Sequence, residues 1–261
     1  MSNPNPPAPH LDPSELGTKS YWDAAYSTEI QNFTSNADDE GMVWFSDAGA
    51  EERMVQFLED LAEEGGLRKG DEDEEDEGDG EGDKPSSFLD LGTGNGHLLF
   101  SLRDSDFTGP LVGIDYSSSS ISLAKQILAT KPSPYSSIQF HEWDILTQTP
   151  GPWVPNGGFD VVLDKGTFDA ISLSEEKDER GRRVCEGYAE RVAGLVAKGG
   201  RCLITSCNWT EEELRGWFEG EGKGGWVFED RVKYSTFRFG GREGSSVVTV
   251  CFRRTGDGIE E

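Results

Sequence analysis

Three glycines at alternate positions, Gly92, Gly94 and Gly96, follow a short apolar run that ends at Leu91. A helix-compatible apolar run begins at Leu98, so the segment is typical of a buried strand, a tight turn and a helix. Glycines let a backbone turn sharply and approach a ligand without a Cβ in the way. The helix N-terminus adds unpaired N–H groups and the positive end of its dipole. The pattern therefore predicts a cofactor-binding turn.

The spacing of these glycines separates two classes of nucleotide site. A dinucleotide-binding turn has the pattern G-x-G-x-x-G, which requires glycine where this chain has His97, and this disfavours a nicotinamide oxidoreductase. The pattern here is D-x-G-x-G-x-G, beginning at Asp90. This form resembles motif I of the class I S-adenosylmethionine-dependent methyltransferases, in which the turn wraps the methionine end of the cofactor. The resemblance implies that Asp90 and the three glycines belong to an S-adenosylmethionine site.

Aspartates stand where three later strands are predicted to end, at Asp115, Asp144 and Asp164. Ligands of open α/β sheets lie at the carboxyl ends of the strands, so these side chains should share an edge with the glycine turn. Asp115 follows Gly92 by 23 residues, and a carboxylate there can accept both ribose hydroxyls of an adenosine. Capping of the next helix is the alternative role for Asp115.

The third predicted strand of the sheet is expected to close with Trp143, Asp144 and Ile145. The Asp144 carboxylate is expected to accept a hydrogen bond from the adenine amine, while an apolar neighbour covers the face of the ring. A solvent-exposed aspartate without a ligand is the alternative.

Asp164 ends the fourth predicted strand, in the stretch LDKGTFDAI. A carboxylate there is expected beside the sulfonium and the incoming nucleophile, with Lys165 and Asp169 near by as site groups or as solvated charges. If the acceptor is a lysine, its deprotonation at pH 7 costs roughly 4.6 kcal/mol, because its free pKa is about 10.4. Asp164 is the residue expected to orient that amine, while positioning and desolvation supply most of the catalysis.

The elements that position these residues follow from regular alternation of apolar strands and helices. Strands are predicted at 87–91, 110–115, 138–145, 159–166 and 200–207, and helices at 20–33 (capped by Ser20), 50–64, 95–104, 117–130, 184–196 and 210–218. This order predicts a doubly wound, mostly parallel α/β sheet with helices on both faces. Two late strands, 226–234 and 247–253, have no helix between them and predict an antiparallel C-terminal hairpin, which completes a seven-stranded Rossmann-like sheet.

Composition sets the limits of the domain. The polar, proline-rich residues 1–17 and the short end 256–261 are predicted to be tails around a domain at 18–255. Within it, an insert at about 68–86 is predicted to be a disordered loop, because ten of the thirteen residues 71–83 are acidic and almost none is apolar.

The charge and the cysteines exclude several kinds of partner. A net charge of −26 argues against non-specific binding of nucleic acid or of an anionic membrane. The four cysteines show no C-x-x-C spacing and there are no paired histidines, so neither a metal site nor a disulfide framework is expected. No apolar run approaches the roughly 18 residues of a membrane helix. These features favour a cytoplasmic protein, and nothing in the sequence points to an obligate dimer, so a monomer is expected.

Seven stretches, in order between about residues 20 and 252, resemble the fungal and animal lysine N-methyltransferases that modify translation elongation factor 1-alpha. They are YWDAAY (21–26), VWF (43–45), LDLGTGNGHLL (89–99), GIDYSSSSISLA (113–124), LDKGTFDAISL (163–173), LITSCNWTEEEL (203–214) and FRFGGREGSSV (237–247). The fifth and sixth stretches are far more specific than the glycine turn, which indicates only the superfamily. The resemblance implies an S-adenosylmethionine-dependent protein-lysine N-methyltransferase of the seven-β-strand class, with elongation factor 1-alpha as its substrate.

The same resemblance assigns residues to the site. The cofactor would be lined by Trp22, Gly92, Gly94, Gly96, Asp115, Tyr116 and Asp144. The helix that carries Trp22 and the segment with Trp44 and Phe45 would close over it. The acceptor lysine would lie among Asp164, Asn208 and Trp209, and Asp169, which is near Asp164 in the sequence, is expected to contact the substrate too.

The chain departs from the family pattern before the second helix. Met42 and Ser46 stand where the family has glutamate and glycine, and the acidic stretch 71–83 is an addition. The first departure concerns the lid over the cofactor, and neither touches the core motifs.

Two other functions are compatible with parts of the sequence. A small-molecule N- or O-methyltransferase of the same fold would show a closed apolar cavity over Asp164. A scaffold that binds no cofactor is disfavoured by the intact Gly92, Gly94, Gly96 and Asp115.

Overall fold

Seven of the strands form one mixed sheet, which confirms the predicted fold class. The computed structural model describes residues 10–70, 84–234, 237–239 and 242–255. Its strands are β1 (Phe88–Leu91), β2 (Leu111–Asp115), β3 (Gln139–Glu142), β4 (Phe159–Lys165), β5 (Val196–Ser206), β6 (Trp226–Val232), β7 (Phe237–Phe239), β8 (Arg242–Gly244) and β9 (Val248–Arg254). The order in the main sheet is β3-β2-β1-β4-β5-β9-β6.

Strands β1 to β5 pair in parallel, as the alternation with helices predicts. Strand β9 runs antiparallel to both β5 and β6, so the predicted C-terminal antiparallel pair is confirmed. A short hairpin of β7 and β8, absent from the sequence prediction, precedes β9.

The helices cover both faces of the sheet. They are α1 (Lys19–Ser35), α2 (Ala50–Glu63), α3 (His97–Asp104), α4 (Ser118–Leu128), α5 (Thr167–Ser172), α6 (Tyr188–Ala193) and α7 (Glu211–Phe218), with 3₁₀ turns at Glu15–Gly17, Ser46–Ala48, Ser133–Tyr135 and Val184–Gly187. One apolar cluster joins the sheet to α5, α6 and α7, and a second joins it to α2, α3 and α4. Alternate residues of β1 enter the two clusters, as expected for a strand that is buried on both faces.

Several element boundaries differ from the predictions. Helix α1 is capped by Thr18 and not by Ser20, because the Thr18 hydroxyl accepts a hydrogen bond from Tyr21 N at 3.4 Å. Helix α5 was not predicted, since it has only six residues and begins directly after Gly166, whose φ of 95° starts it from a left-handed turn. Strand β3 ends at Glu142, so the segment that was predicted to close it lies in the following loop.

The two predicted disordered regions are partly ordered. Residues 10–17 pack against the domain: Ser14 N donates to Leu173 O at 3.1 Å, so the prediction is wrong for this part of the tail. The ends of the acidic insert also meet, because Ser86 N donates to Arg68 O at 2.9 Å and Arg68 N donates to Ser86 Oγ at 2.9 Å. The rest of these two regions, residues 1–9 and 71–83, and the predicted tail 256–261 lie outside the described residues.

No helix in the described ranges has both the length and the apolar character that crossing a bilayer requires.

Helix α7 supplies a test of local stability. The Thr210 hydroxyl accepts from Glu213 N at 3.3 Å, and Thr210 N donates to Glu213 Oε2 at 2.8 Å, so the two residues form a capping box. We expect Thr210→Ala to lower the free energy of unfolding by about 1 kcal/mol, measured by urea denaturation, because the helix loses its N-terminal acceptor. Thr210→Ser keeps the hydroxyl and should lose much less. Equal losses in the two variants would contradict the capping role.

Candidate active site

A cavity of about 280 Å³ lies at the carboxyl ends of β1 to β4, between α1, the segment before α2 and α5. Most of the residues predicted to form the site line it: Trp22, Trp44, Phe45, Gly92, Asp115, Tyr116, Trp143, Asp144, Ile145, Asp169 and Asn208. Five predicted residues do not line it, namely Asp90, Gly94, Gly96, Asp164 and Trp209.

The three glycines of the turn all have positive φ, at 63°, 58° and 83°. A Cβ on Gly92 would lie 2.2 Å from Thr167 Oγ1, and one on Gly94 would lie 2.7 Å from the Tyr26 hydroxyl. A Cβ on Gly96 would lie 2.6 Å from the ring of Phe140. The glycines therefore let α5, α1 and β3 close on the turn, and only Gly92 itself faces the cavity.

Asp115 joins the glycine turn to the start of α4. Its Oδ2 accepts from Gly94 N at 3.2 Å and from Ser120 Oγ at 2.7 Å, and its Oδ1 accepts from Ser117 N at 2.9 Å. Burial raises the pKa of this carboxyl, although the hydrogen bonds act in the opposite direction. The N-cap of α4 is Ser117, so Asp115 supports the start of that helix without capping it, and it also lines the cavity at the position predicted for ribose binding.

The loop after β3 forms one wall of the cavity. Asp144 holds the loop, because its Oδ1 accepts from Leu146 N at 2.8 Å and its Oδ2 accepts from Thr147 Oγ1 at 2.6 Å. Trp143 and Ile145 are buried on either side of it. The predicted apolar neighbours of an adenine ring are therefore in the cavity wall, together with the carboxylate.

Asp164 faces away from the cavity, which corrects the prediction that it orients the acceptor lysine. Its side chain is fully buried and accepts from Thr167 N at 2.7 Å, from Phe168 N at 3.0 Å and from the Tyr188 hydroxyl at 2.7 Å. Burial raises the pKa of Asp164 to about 7, even though the bond from Tyr188 lowers it. Asp164 therefore ties α5 and α6 to the end of β4.

Asp90 and Trp209 were predicted to contact the cofactor and the substrate, and neither of them lines the cavity. Asp90 is buried beneath the glycine turn, and burial raises its pKa to about 7, while the positive charge of Lys165 acts in the opposite direction. Trp209 is buried against Trp217, with ring centroids 5.5 Å apart, and belongs to the apolar cluster under α7. Both side chains support the walls of the cavity from behind.

Asp169 is the carboxylate of the LDKGTFDAI stretch that lines the cavity. Its Oδ1 accepts from Ser206 Oγ at 2.5 Å and its Oδ2 accepts from Cys207 N at 2.8 Å, so it joins α5 to the end of β5. Burial raises its pKa, against the effect of these donors. Asn208 lies next to it in the lining.

Aromatic side chains from α1 and from the segment before α2 cover the cavity. The Trp22 ring lies 5.2 Å from the Trp44 ring and 6.1 Å from that of Tyr26, and Trp22 Nε1 donates to Leu16 O at 2.8 Å. Phe45 has a left-handed backbone with φ of 62°, which is a strained conformation for an aromatic residue and is enriched at functional sites. The aromatic residues predicted to form a lid therefore line the cavity, and Leu16 of the N-terminal segment anchors Trp22.

A polar group that the sequence analysis missed lies beside the cavity. Glu51 of α2 is 3% exposed, and its Oε1 lies 2.5 Å from His97 Nδ1 and accepts from Ser101 Oγ at 2.7 Å. Burial alone would raise the pKa of Glu51, but the contacts with His97 and the charge of Lys165 together lower it. The hydrogen bond to Glu51 raises the pKa of His97. This contact accounts for a histidine at the position where a dinucleotide turn has glycine.

Comparison with known proteins gives the family context of this geometry. A family model described as a methyltransferase domain matches residues 83–231. Protein-lysine N-methyltransferase EFM4 of Saccharomyces cerevisiae is 42% identical over 242 residues, covering 93% of this chain and 96% of that protein. Human EEF1A lysine methyltransferase 2 is 33% identical, covering 93% of this chain and 88% of that protein.

The fold is shared with a solved methyltransferase structure. The N-methyltransferase NodS of Bradyrhizobium japonicum, in complex with S-adenosyl-L-homocysteine, superposes with a TM-score of 0.51 at 15% identity. The match covers 88% of this chain and 98% of that chain.

The raised pKa of Asp164 generates a prediction about pH. With a pKa of about 7 when folded and about 3.9 when unfolded, this carboxyl takes up a proton on folding, so its contribution makes stability fall as pH rises from about 4 to 7. The Tyr188 hydroxyl donates to the carboxylate, so Tyr188→Phe should raise the pKa further and extend the fall above pH 7. We expect Tyr188→Phe to lower the free energy of unfolding by roughly 1–3 kcal/mol, measured by urea denaturation, and the decrease should be larger at pH 8 than at pH 6.

Tyr234→Phe is the matched control, because the Tyr234 hydroxyl bonds Thr249 Oγ1 at 2.6 Å and not a carboxyl group. Its loss of stability should be the same at both pH values. A Tyr188→Phe loss that does not change with pH would show that Asp164 is not the group responsible.

Proposed function

This chain belongs to the family of protein-lysine N-methyltransferases that includes EFM4 and EEF1A lysine methyltransferase 2, and we propose that it methylates a lysine of elongation factor 1-alpha. The enzyme is an S-adenosylmethionine-dependent protein-lysine N-methyltransferase. The observation that carries the substrate assignment is the 42% identity to EFM4 over nearly the full length of both chains.

The cavity fits the cofactor that this activity requires. Its volume of about 280 Å³ is close to the lower end of the roughly 300–1,000 Å³ typical of small-molecule sites. Gly92 lines it without a Cβ, and the buried carboxylate of Asp115 lines it at the end of β2. We assign the adenine to the wall of Trp143, Asp144 and Ile145, the ribose to Asp115, and the methionine end to the glycine turn. When bound, S-adenosylmethionine supplies an electrophilic methyl group on a sulfonium.

The protein must then position an uncharged acceptor amine next to that methyl group. Asp169 and Asn208 line the cavity and follow β4 and β5, which lie on the other side of β1 from β3 and its adenine wall. We assign to Asp169 the role of receiving and orienting the acceptor ammonium, in place of the buried Asp164. Burial and a neighbouring positive charge both lower the pKa of an amine, so enclosure beside the sulfonium favours loss of the proton.

The lid segment is suited to holding the methylene chain of a lysine. Trp44 and Phe45 line the cavity, and Phe45 lies so close to Gly166 that a Cβ there would be 3.0 Å from its ring. Apolar rings exclude water from the reacting atoms and make contacts with an aliphatic chain. We therefore assign substrate contacts to Trp44 and Phe45.

The remaining features agree with an enzyme that works on a protein. We propose that one catalytic domain extends from about residue 10, where the N-terminal segment joins it, to residue 255, and that it acts as a monomer in the cytoplasm. The strongly acidic chain suits a basic protein substrate.

The substrate assignment is tested by incubating the purified protein with methyl-labelled S-adenosylmethionine and lysate from cells that lack it. We expect one labelled protein, identified by mass spectrometry as elongation factor 1-alpha that carries methyl-lysine. Label found only in small molecules would contradict the substrate assignment.

The role of Asp169 is tested with Asp169→Asn. This variant should lower turnover strongly while cofactor affinity is retained, because Asp169 lines only the amine end of the cavity.

The assignment of the glycine turn is tested with Gly92→Ala. The added Cβ would lie 2.2 Å from Thr167 Oγ1 at a φ of 63°, so the turn and α5 must move apart. We expect affinity for S-adenosylmethionine to fall at least about tenfold by calorimetry. Gly216→Ala is the control, since no atom lies within 4 Å of its added Cβ, and its affinity should equal that of the wild type. Unchanged affinity in Gly92→Ala would contradict the site assignment.

A further inference from the structure

Two positively charged side chains line the cavity within the described ranges, Lys19 and Lys165. Lys19 lies at the adenosine end, where its Nζ is 2.9 Å and 3.1 Å from the two carboxylate oxygens of Asp23 and 5.6 Å from the centre of the Tyr116 ring. Lys165 is the last residue of β4, and its side chain is 14% exposed. The two cations therefore mark opposite ends of the cavity.

The Lys165 ammonium is only partly satisfied by its neighbours. Its Nζ donates to Trp44 O at 3.3 Å and lies 3.9 Å from Glu51 Oε2, which is beyond hydrogen-bonding distance. Within the described part of the chain, Glu51 Oε2 is a buried atom without a hydrogen-bond partner. An ammonium carries three N–H donors, so Lys165 retains donors for a ligand.

The order of the strands indicates which part of a bound ligand lies beside Lys165. Along the carboxyl edge of the sheet, β3, β2, β1 and β4 are neighbours in that order. Their ends carry the adenine wall, the ribose carboxylate Asp115, the glycine turn and Lys165 in turn. A ligand with its nucleoside over β3 and β2 therefore has its amino-acid part at the glycine turn and beside Lys165.

We propose that the Lys165 ammonium binds the carboxylate of the amino-acid part of S-adenosylmethionine, an inference that rests on the proposed function. A carboxylate enclosed in the cavity needs a charged or hydrogen-bonding partner. The buried carboxyl groups of Asp90 and Glu51 lie behind the same region and would repel it. The positive charge of Lys165 offsets both the cost of enclosing the ligand carboxylate and its repulsion by the two buried carboxyl groups.

The competing role for Lys165 is purely structural, since it also holds the lid through the carbonyl oxygen of Trp44. A loosened lid would weaken the binding of every ligand that shares the adenosine part. A lost counter-ion would weaken only ligands that carry the carboxylate. The two roles can therefore be separated by comparing ligands rather than by comparing activities.

The experiment is calorimetric titration of the full chain with S-adenosylmethionine and with its decarboxylated analogue, which lacks only the carboxylate. We expect the wild type to prefer S-adenosylmethionine by roughly tenfold or more. Lys165→Met should abolish this preference by weakening S-adenosylmethionine, with the analogue bound equally or more tightly. Lys19→Met is the matched control, and any change it makes should be the same factor for both ligands.

Equal weakening of both ligands by Lys165→Met would overturn the inference and leave Lys165 as a lid support. A wild type that binds both ligands equally would overturn it too, while cofactor binding and the proposed function would stand. A wild type that binds neither ligand would instead contradict the proposed function itself, and the inference with it.

Discussion

Burying a carboxyl group is costly unless donors surround it, and the arrangement of this cavity depends on where its carboxyl groups find those donors. Asp115 of β2 finds them in the glycine turn and at the start of α4, and Asp164 of β4 finds them in α5 and α6. Asp169 of α5 finds them at the end of β5, and Glu51 of α2 finds its donor Ser101 in α3. Each carboxyl group thus fixes two or more elements at once. The walls of the site are held by polar contacts above an otherwise apolar core.

The fold and much of the cavity lining could be predicted because the signals are local. The alternation of apolar runs with helices gives the sheet, and the ends of its strands give the edge at which ligands bind. Asp115 and Asp144 could be found in this way, since each directly follows a strand signal. Trp22, Trp44 and Phe45 came only from the resemblance to a family, because their spacing alone equally suits core aromatics.

The remaining residues could not be predicted because their roles depend on backbone turns and on distant partners. Asp164 and Asp169 belong to the same stretch, and which of them faces the cavity is decided at Gly166, where the left-handed turn begins α5. The N–H groups of the new helix fold back on Asp164, and the helix carries Asp169 to the cavity. Glu51 and His97 are 46 residues apart, and no local pattern links them.

The paired backbone at Arg68 and Ser86 has a consequence for how this chain can vary. The two hydrogen bonds close the neck of the intervening segment just before β1, at the amino end of the strand, whereas the cavity lies at the carboxyl ends. When the two ends of a segment are held together, a change in its length alters the free energy of folding mainly through the entropy of closing the loop. Doubling the length costs only about 0.6 kcal/mol. We therefore expect changes in the length of this segment to have little effect on the site, which lies at the other end of the strand. The segment beyond this neck is therefore a natural place to insert a reporter domain.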